Sequence, residues 1–405
     1  MFSLRFLKSH WRELAFGFLM CFLSSFGQTF FISLFGGHIR AEFAISDGEW
    51  GSIYSAGTIA SALVLVWSGR LVDRLRLADM AALVIAGLAI MCLAAGLIST
   101  PFLLIAVIFG LRQFGQGLSG HTGITAMVRR FTAERGRAVS IASLGYTAGE
   151  ALLPLTVVAA LVIAPWRSLW LICAVFLVAL IPLVRWLVAE KHTSTSKPDP
   201  TVGERVATGE DHQLAEVLRD PSLWFRLPAL LAPSFIFTGL ILHQIALAEA
   251  KGWPLTLWAS SYLAFAVCSF VSIILSGMLV DRVSARRLVP VFLAPLALGC
   301  VALWYGMAPV TAFVFMSLIG LGAGLTQIIS SSVWSELYGV AHIGSIRAFG
   351  TAVMVLSSGL APAIMGLSMD AGVTMETIAL TSAVYCLFAS LLATMAPAPA
   401  KELTG

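Results

Sequence analysis

Twelve stretches of this chain are each long and apolar enough to cross a lipid bilayer, which takes about 20 mostly apolar residues. They lie at approximately 14–37, 49–69, 78–99, 101–127, 138–162, 166–188, 223–249, 257–280, 286–307, 308–333, 344–368 and 373–396. Pro101 and Pro309 mark the two narrowest breaks between them. Composition agrees: 59% of the residues are hydrophobic and 11% charged, with mean hydropathy +0.91. Soluble domains carry about 25% charged residues. The expected fold class is therefore an all-α integral membrane protein with 12 transmembrane helices.

An even number of spans puts both termini on one side. Of the 25 Lys and Arg residues, Arg40, Arg167 and Lys251 fall at turns on one side and Arg112 falls inside a stretch. The rest lie in the tails and in the turns on the other side. That asymmetry predicts a multi-pass protein of the cell (inner) membrane with both termini cytoplasmic. The basic segment Met1–Glu13 runs directly into the first apolar stretch and does not read as a removable signal peptide. The formal charge of +4 is spread over short loops, so no nucleic-acid partner is indicated. The six cysteines all sit in apolar stretches without C-x-x-C spacing, which suggests neither a disulfide framework nor a metal site.

The chain repeats itself. Gly69-Arg-Leu-Val-Asp73-Arg74 recurs as Gly277-Met-Leu-Val-Asp281-Arg282, about half the chain later. Gly136 and Pro154 match Gly344 and Pro362 at the same offset; Gly115 and Gly117 match Gly322 and Gly324 one residue short of it. This argues for two pseudo-symmetric six-helix bundles, 1–188 and 223–405. The Ser-, Thr-, Pro- and charge-rich segment 189–222 would be a cytoplasmic linker. Within it, Gln213 to Arg219 suits a short helix before Pro221. Two related membrane halves with matched charged turns suit a transporter whose halves move against each other.

Several residues are candidates for that work. Arg112 lies near mid-depth in the fourth stretch, where a charge costs on the order of 3 kcal/mol. Glu150 lies at a similar depth in the fifth, so an antiparallel hairpin would set the two level, as a working pair, a substrate-bridged pair or a static ion pair. His121 follows nine residues after Arg112, about 180° round an α-helix, so both cannot face one cavity. His243 in the seventh stretch suits either a proton relay or a structural hydrogen bond. Gln28, Tyr54, Tyr146, Tyr262 and Gln327 add polar groups at depth from both halves, where a midplane solute site would be lined. In the turns, Gly would allow close approach, Asp would accept from a neighbouring helix N-terminus, and Arg would bridge to a carboxylate.

The two G-x-L-V-D-R turns, Arg112-Gln-Phe-Gly115-Gln-Gly117 and Glu134-Arg-Gly136-Arg137-Ala138 resemble the major facilitator superfamily over nearly the whole chain. The resemblance implies cytoplasmic gate roles for Gly69, Asp73, Arg74, Gly277, Asp281, Arg282 and Arg137. The first turn departs from the family at Leu75-Arg76-Leu77, where Gly-Arg is usual. Val128-Arg-Arg-Phe131 with Arg135-Gly-Arg137-Ala138, and Gly366-Leu-Ser-Met-Asp370-Ala-Gly372, are similar to the monocarboxylate and oxalate–formate branch. That implies a small organic anion, which a guanidinium at Arg112 would bind bidentately. The basic residue this branch carries in the eighth helix is absent, since Leu257 to Leu279 holds no Lys or Arg.

The alternative within transport is a proton-coupled exporter of drugs or other amphipathic compounds. The fifth helix of such exporters often has Gly-Pro; here Glu150 follows Gly149 and Pro comes at 154. Gly115-Gln-Gly117-Leu-Ser-Gly120 matches a dinucleotide fingerprint, but mid-helix and with no strand before it. No phosphate loop and no hydrolase motif occurs, so the expectation is no enzyme, no cofactor and no metal. The expected partners are a small solute, a proton and the bilayer, with no obligate protein partner.

Overall fold

The computed structural model describes residues 4–69, 71–131, 134–188, 213–339 and 343–397, the side chains of Leu4, Arg5, Asp73 and Asp281 excepted. Among the described residues every regular element is helical. Among the described residues ten helices are long and apolar enough to cross a membrane, from Asp47–Ser68 to Met375–Thr394. Two expected spans are interrupted. The first is built from Trp11–Leu23, the 3₁₀ turn Ser24–Gly27 and Thr29–Ser33, and the helix Gly36–Phe43 runs on past its expected end at residue 37. The ninth is built from Ala285–Leu288 and Ala294–Tyr305.

Both interruptions have local causes. Gln28 is extended, at φ −81° and ψ 152°. Its neighbour Gly27 lies so close to the fourth span that a Cβ would come within 2.8 Å of Gly115 Cα and 2.7 Å of the Gln116 amide nitrogen. Only Gly permits that backbone-to-backbone contact. In the ninth span Pro290 and Pro295 each remove a helical N–H donor.

The fourth span runs through Leu103–Gly110, a π-helical segment Leu111–Ser119 and Gly120–Arg130. Asp47–Ser68 shows the membrane pattern of burial. Trp50, Tyr54, Thr58 and Ser61 are buried, while Leu63, Val66 and Trp67 are exposed. Ser46 caps this helix in a reciprocal box with Glu49, and the linker's expected short helix appears as Leu214–Val217. The linker residues 189–212 lie outside the described residues.

Two compact units emerge. The first comprises Met1–Lys191, Thr238–Leu263 and Gly359–Gly372; the second comprises His192–Phe237, Ala264–Ser358 and Val373–Gly405. In the first, Gln244 explains why later segments join the earlier ones. Its Nε2 donates to the Phe30 carbonyl at 3.0 Å and to Ser33 Oγ at 2.6 Å. Its Oε1 accepts from Trp258 Nε1 at 2.7 Å and from the Tyr262 hydroxyl at 2.8 Å. A buried amide with every bond made holds its neighbours firmly. In the second unit, Ser272 Oγ donates to the Leu321 carbonyl at 2.6 Å, and a Cβ on Gly324 would meet the Ile273 amide at 2.8 Å.

Candidate functional site

Arg112 is the charged centre of the first unit. The π-helical segment that carries it is rare geometry, often found at functional sites. Its Nη1 lies 3.3 Å from the Gly27 carbonyl and 3.4 Å from Thr29 Oγ1, and its guanidinium carbon sits 5.5 Å from the centre of the Tyr54 ring. The extended backbone at Gln28 frees the Gly27 carbonyl for this contact. The Tyr54 hydroxyl donates to Thr29 Oγ1 at 2.8 Å, so Thr29 joins the two. Arg112 is 5% exposed and its Nε has no hydrogen-bond partner.

Glu150 does not pair with Arg112. Among the described residues no carboxylate comes within ion-pair distance of the guanidinium. The depth argument set the two level along the membrane but not on facing sides. The guanidinium turns to the break in the first span instead. Glu150 is half-buried, and no hydrogen bond to it is formed among the described residues. Its neighbour Gly149 presses against Ser25, where a Cβ would come 2.9 Å from the Ser25 Cβ.

The remaining expected residues scatter. Gln28 is half-buried at the break itself. Tyr146 lies against Cys21 and Gly120 rather than against Arg112. His243 is buried elsewhere in the first unit, with Nδ1 3.5 Å from Asp47 and Nε2 3.1 Å from the Pro362 carbonyl. Gln327 belongs to the second unit and is exposed. His121 is exposed, whereas Arg112 is buried.

The charged turns are described in part. The Asp73 and Asp281 side chains lie outside the described residues. Arg74 and Arg282 are exposed, and Arg137 pairs at 3.1 Å with Glu134 one turn away. Among the described residues a Cβ on Gly277 would meet nothing within 4 Å, and one on Gly69 only its own helix at Leu65, so neither Gly marks a close approach. Other side chains fasten the turns. Arg129 donates to the Val72 carbonyl at 3.0 Å, and the Glu336 carboxylate accepts from the Ala285 and Arg286 amides, each at 2.9 Å.

Sequence reasoning missed Thr29, Asp47 and the chain of Ser61, Gln113 and Ser68. In that chain Gln113 accepts from Ser61 at 3.0 Å and donates to Ser68 at 2.6 Å. A Thr or Ser in a membrane helix carries little signal alone. The Gln113 position, adjacent to Arg112, was the one clue available.

The family model described as Major Facilitator Superfamily matches residues 17–362. No curated protein matches the sequence. Among solved structures, the chain is similar to a bacterial homologue of the human lysosomal transporter Spinster, in inward-facing occupied and inward-facing unoccupied conformations. Each comparison gives 16% identity, covers 95% of this chain and 96% of that one, and has a TM-score of 0.71. A mutant of the nucleoside transporter NupG gives 13% identity, coverage of 94% and 99%, and a TM-score of 0.66. At such identities the likeness is one of fold.

Proposed function

The chain belongs to the major facilitator superfamily, and from that premise we propose that it carries a small organic anion across the membrane by proton-coupled alternating access. It is a multi-pass secondary transporter and not an enzyme. In this reading the termini and the Asp-Arg turns face the cytoplasm of the cell (inner) membrane, following the Lys and Arg asymmetry.

One observation carries the anion assignment. Arg112 is a buried guanidinium whose acceptors are a neutral carbonyl and a neutral hydroxyl, both at long range. A buried charge without a counter-charge is costly, and a carboxylate supplied by the solute would relieve it with two parallel hydrogen bonds. Glu150, half-buried and without a hydrogen bond, is the group suited to take up and release a proton. Tyr54 and Gln28 stand beside Arg112 at the break in the first span.

A thermal-shift screen of the purified protein against organic acids, sugars, amino acids and drugs tests this, because a binder raises apparent stability by mass action. Organic acids should stabilise the wild type and not Arg112→Ala. Stabilisation by uncharged amphipathic compounds alone, unaffected by Arg112→Ala, would replace this reading with the drug exporter.

A further inference from the structure

Among the buried polar atoms of the first unit without a hydrogen-bond partner, Asp47 Oδ1, Trp50 Nε1 and His243 Nδ1 stand together. Their residues line one small cavity, with about 10 Å³ open to the centre of a water molecule. That is near the least a single water requires. Trp50 is 1% exposed and His243 2% exposed.

The hydrogen on His243 follows from its partners. Nε2 stands 3.1 Å from the Pro362 carbonyl, which can only accept, so Nε2 carries a hydrogen. Nδ1 then faces Asp47 Oδ1 at 3.5 Å. With a lone pair there, the nitrogen repels the carboxylate; with a proton there, it is attracted. The other Asp47 oxygen is 2.7 Å from Arg40 Nη1, which favours the ionised carboxylate, so the extra proton belongs to the imidazole.

We propose that His243 and Asp47 form a proton-binding site, and that the bound proton holds this end of the first unit closed. On loading, a proton from water joins the Nδ1 lone pair, and the resulting N–H points at Asp47 Oδ1 directly or through one water that also accepts from Trp50. A wider cavity of about 530 Å³ shares Gly37, Arg40 and Ile245 with the small one and gives the proton a route. His38 and Glu249 line the wider cavity. Glu49 is engaged by the Ser46 cap, and Asp370 accepts from Ser46 Oγ at 2.6 Å and the Gly48 amide at 3.1 Å. The proton thus ties Asp47 to His243, which its Nε2–H already ties to the Pro362 carbonyl.

The use of this site in coupling rests on the proton-driven reading above; the site itself does not. Hydrogen-exchange mass spectrometry on the full-length protein in nanodiscs, without solute, tests it. Rates are corrected for the intrinsic effect of pH and compared at about pH 5.5 and about pH 8.5, either side of the histidine range. Amides of residues 36–50 and 239–250 should exchange about tenfold faster at the higher pH, the scale of one lost charge-assisted hydrogen bond. That response should vanish in His243→Gln, which keeps an N–H for Pro362, and in Asp47→Asn. A wild type indifferent to pH, or either variant retaining the response, overturns the proposal. Solute flux indifferent to a pH gradient, with the exchange response intact, supports the site and overturns only its role in coupling.

Discussion

An arginine inside a membrane helix must find acceptors or lose its hydration for nothing. Arg112 finds a broken helix, a threonine and an aromatic face. Replacing Thr29 with Val leaves the buried Tyr54 hydroxyl without an acceptor and takes one from Arg112, a cost of about 1–3 kcal/mol. Tyr54→Phe removes the hydroxyl together with its need, so it should lower the melting temperature less than Thr29→Val. Thermal unfolding of the two variants checks the order. Arg112→Lys keeps the charge but not the planar fork, and should weaken any organic-acid binder at least about tenfold. Titration of the thermal shift against acid concentration measures it. Glu42, outside the membrane spans, gives a pH prediction. The Arg167 hydrogen bond holds its carboxyl below the usual carboxylate range, aided by Trp166. A depressed folded value contributes stability above the unfolded carboxylate range, about pH 4.3, that is lost as pH falls through the folded value. Acid unfolding of Glu42→Gln should therefore lack this part of the pH dependence seen in the wild type. The cost of Arg112 was legible in the sequence, because charge in an apolar run is conspicuous. Its partners were not, because a backbone carbonyl freed by a turn has no sequence signature.

Helix breaks and helix contacts are decided by what fits between backbones. Gly115 and Gly117 read alike in sequence, as a pair repeated at Gly322 and Gly324. Their surroundings differ. A Cβ on Gly115 would come 2.6 Å from Gly27 Cα and 2.7 Å from its nitrogen, both backbone atoms that cannot yield. A Cβ on Gly117 would come 3.0 Å from a Leu65 methyl, which can rotate away. Gly115→Ala should thus cost about 1–3 kcal/mol or more, by forcing the first and fourth spans apart, and Gly117→Ala distinctly less. Melting temperatures of both variants check the contrast. Because the Gly115 contact also sets the Gly27 carbonyl, Gly115→Ala should further reduce the effect of organic acids. The ten long spans were plain from apolar length, which the bilayer dictates. The two interrupted spans were not, because length and hydropathy do not register a break that keeps its residues apolar. Nor was the π-helical segment, which changes which side chains share a face without changing composition.

The duplication extends from sequence into packing. Gly117 rests on Leu65 in the first unit, and Gly324 rests on Ser272 and Ile273 in the second, so matched glycines meet matched positions. The fastenings of the charged turns, by contrast, have opposite sign. Arg129 gives a hydrogen bond to a helix-end carbonyl in one half, and Glu336 accepts from helix-start amides in the other. Repeated motifs revealed the common architecture because duplication copies sequence; the divergent fastenings use residues outside the repeats. The compact units were also hidden, since segments 238–263 and 359–372 join the first through hydrogen bonds of Gln244, His243 and Asp370 that no periodicity announces. Alternating access requires these ties to break at the end remote from the Asp-Arg turns. A Cβ placed on Gly37 would lie 3.9 Å from Ile245 Cβ, within the roughly 3.5–4.5 Å that a disulfide spans. Gly37→Cys with Ile245→Cys, in a background with the six native cysteines replaced, should therefore crosslink on mild oxidation. If the solute must pass this end, oxidation should stop flux into proteoliposomes almost completely, and reduction should restore it. Each single cysteine should leave flux unaffected by oxidant. Equal flux in the oxidised and reduced double variant would mean that this end stays closed throughout the cycle, and alternating access would have to be abandoned.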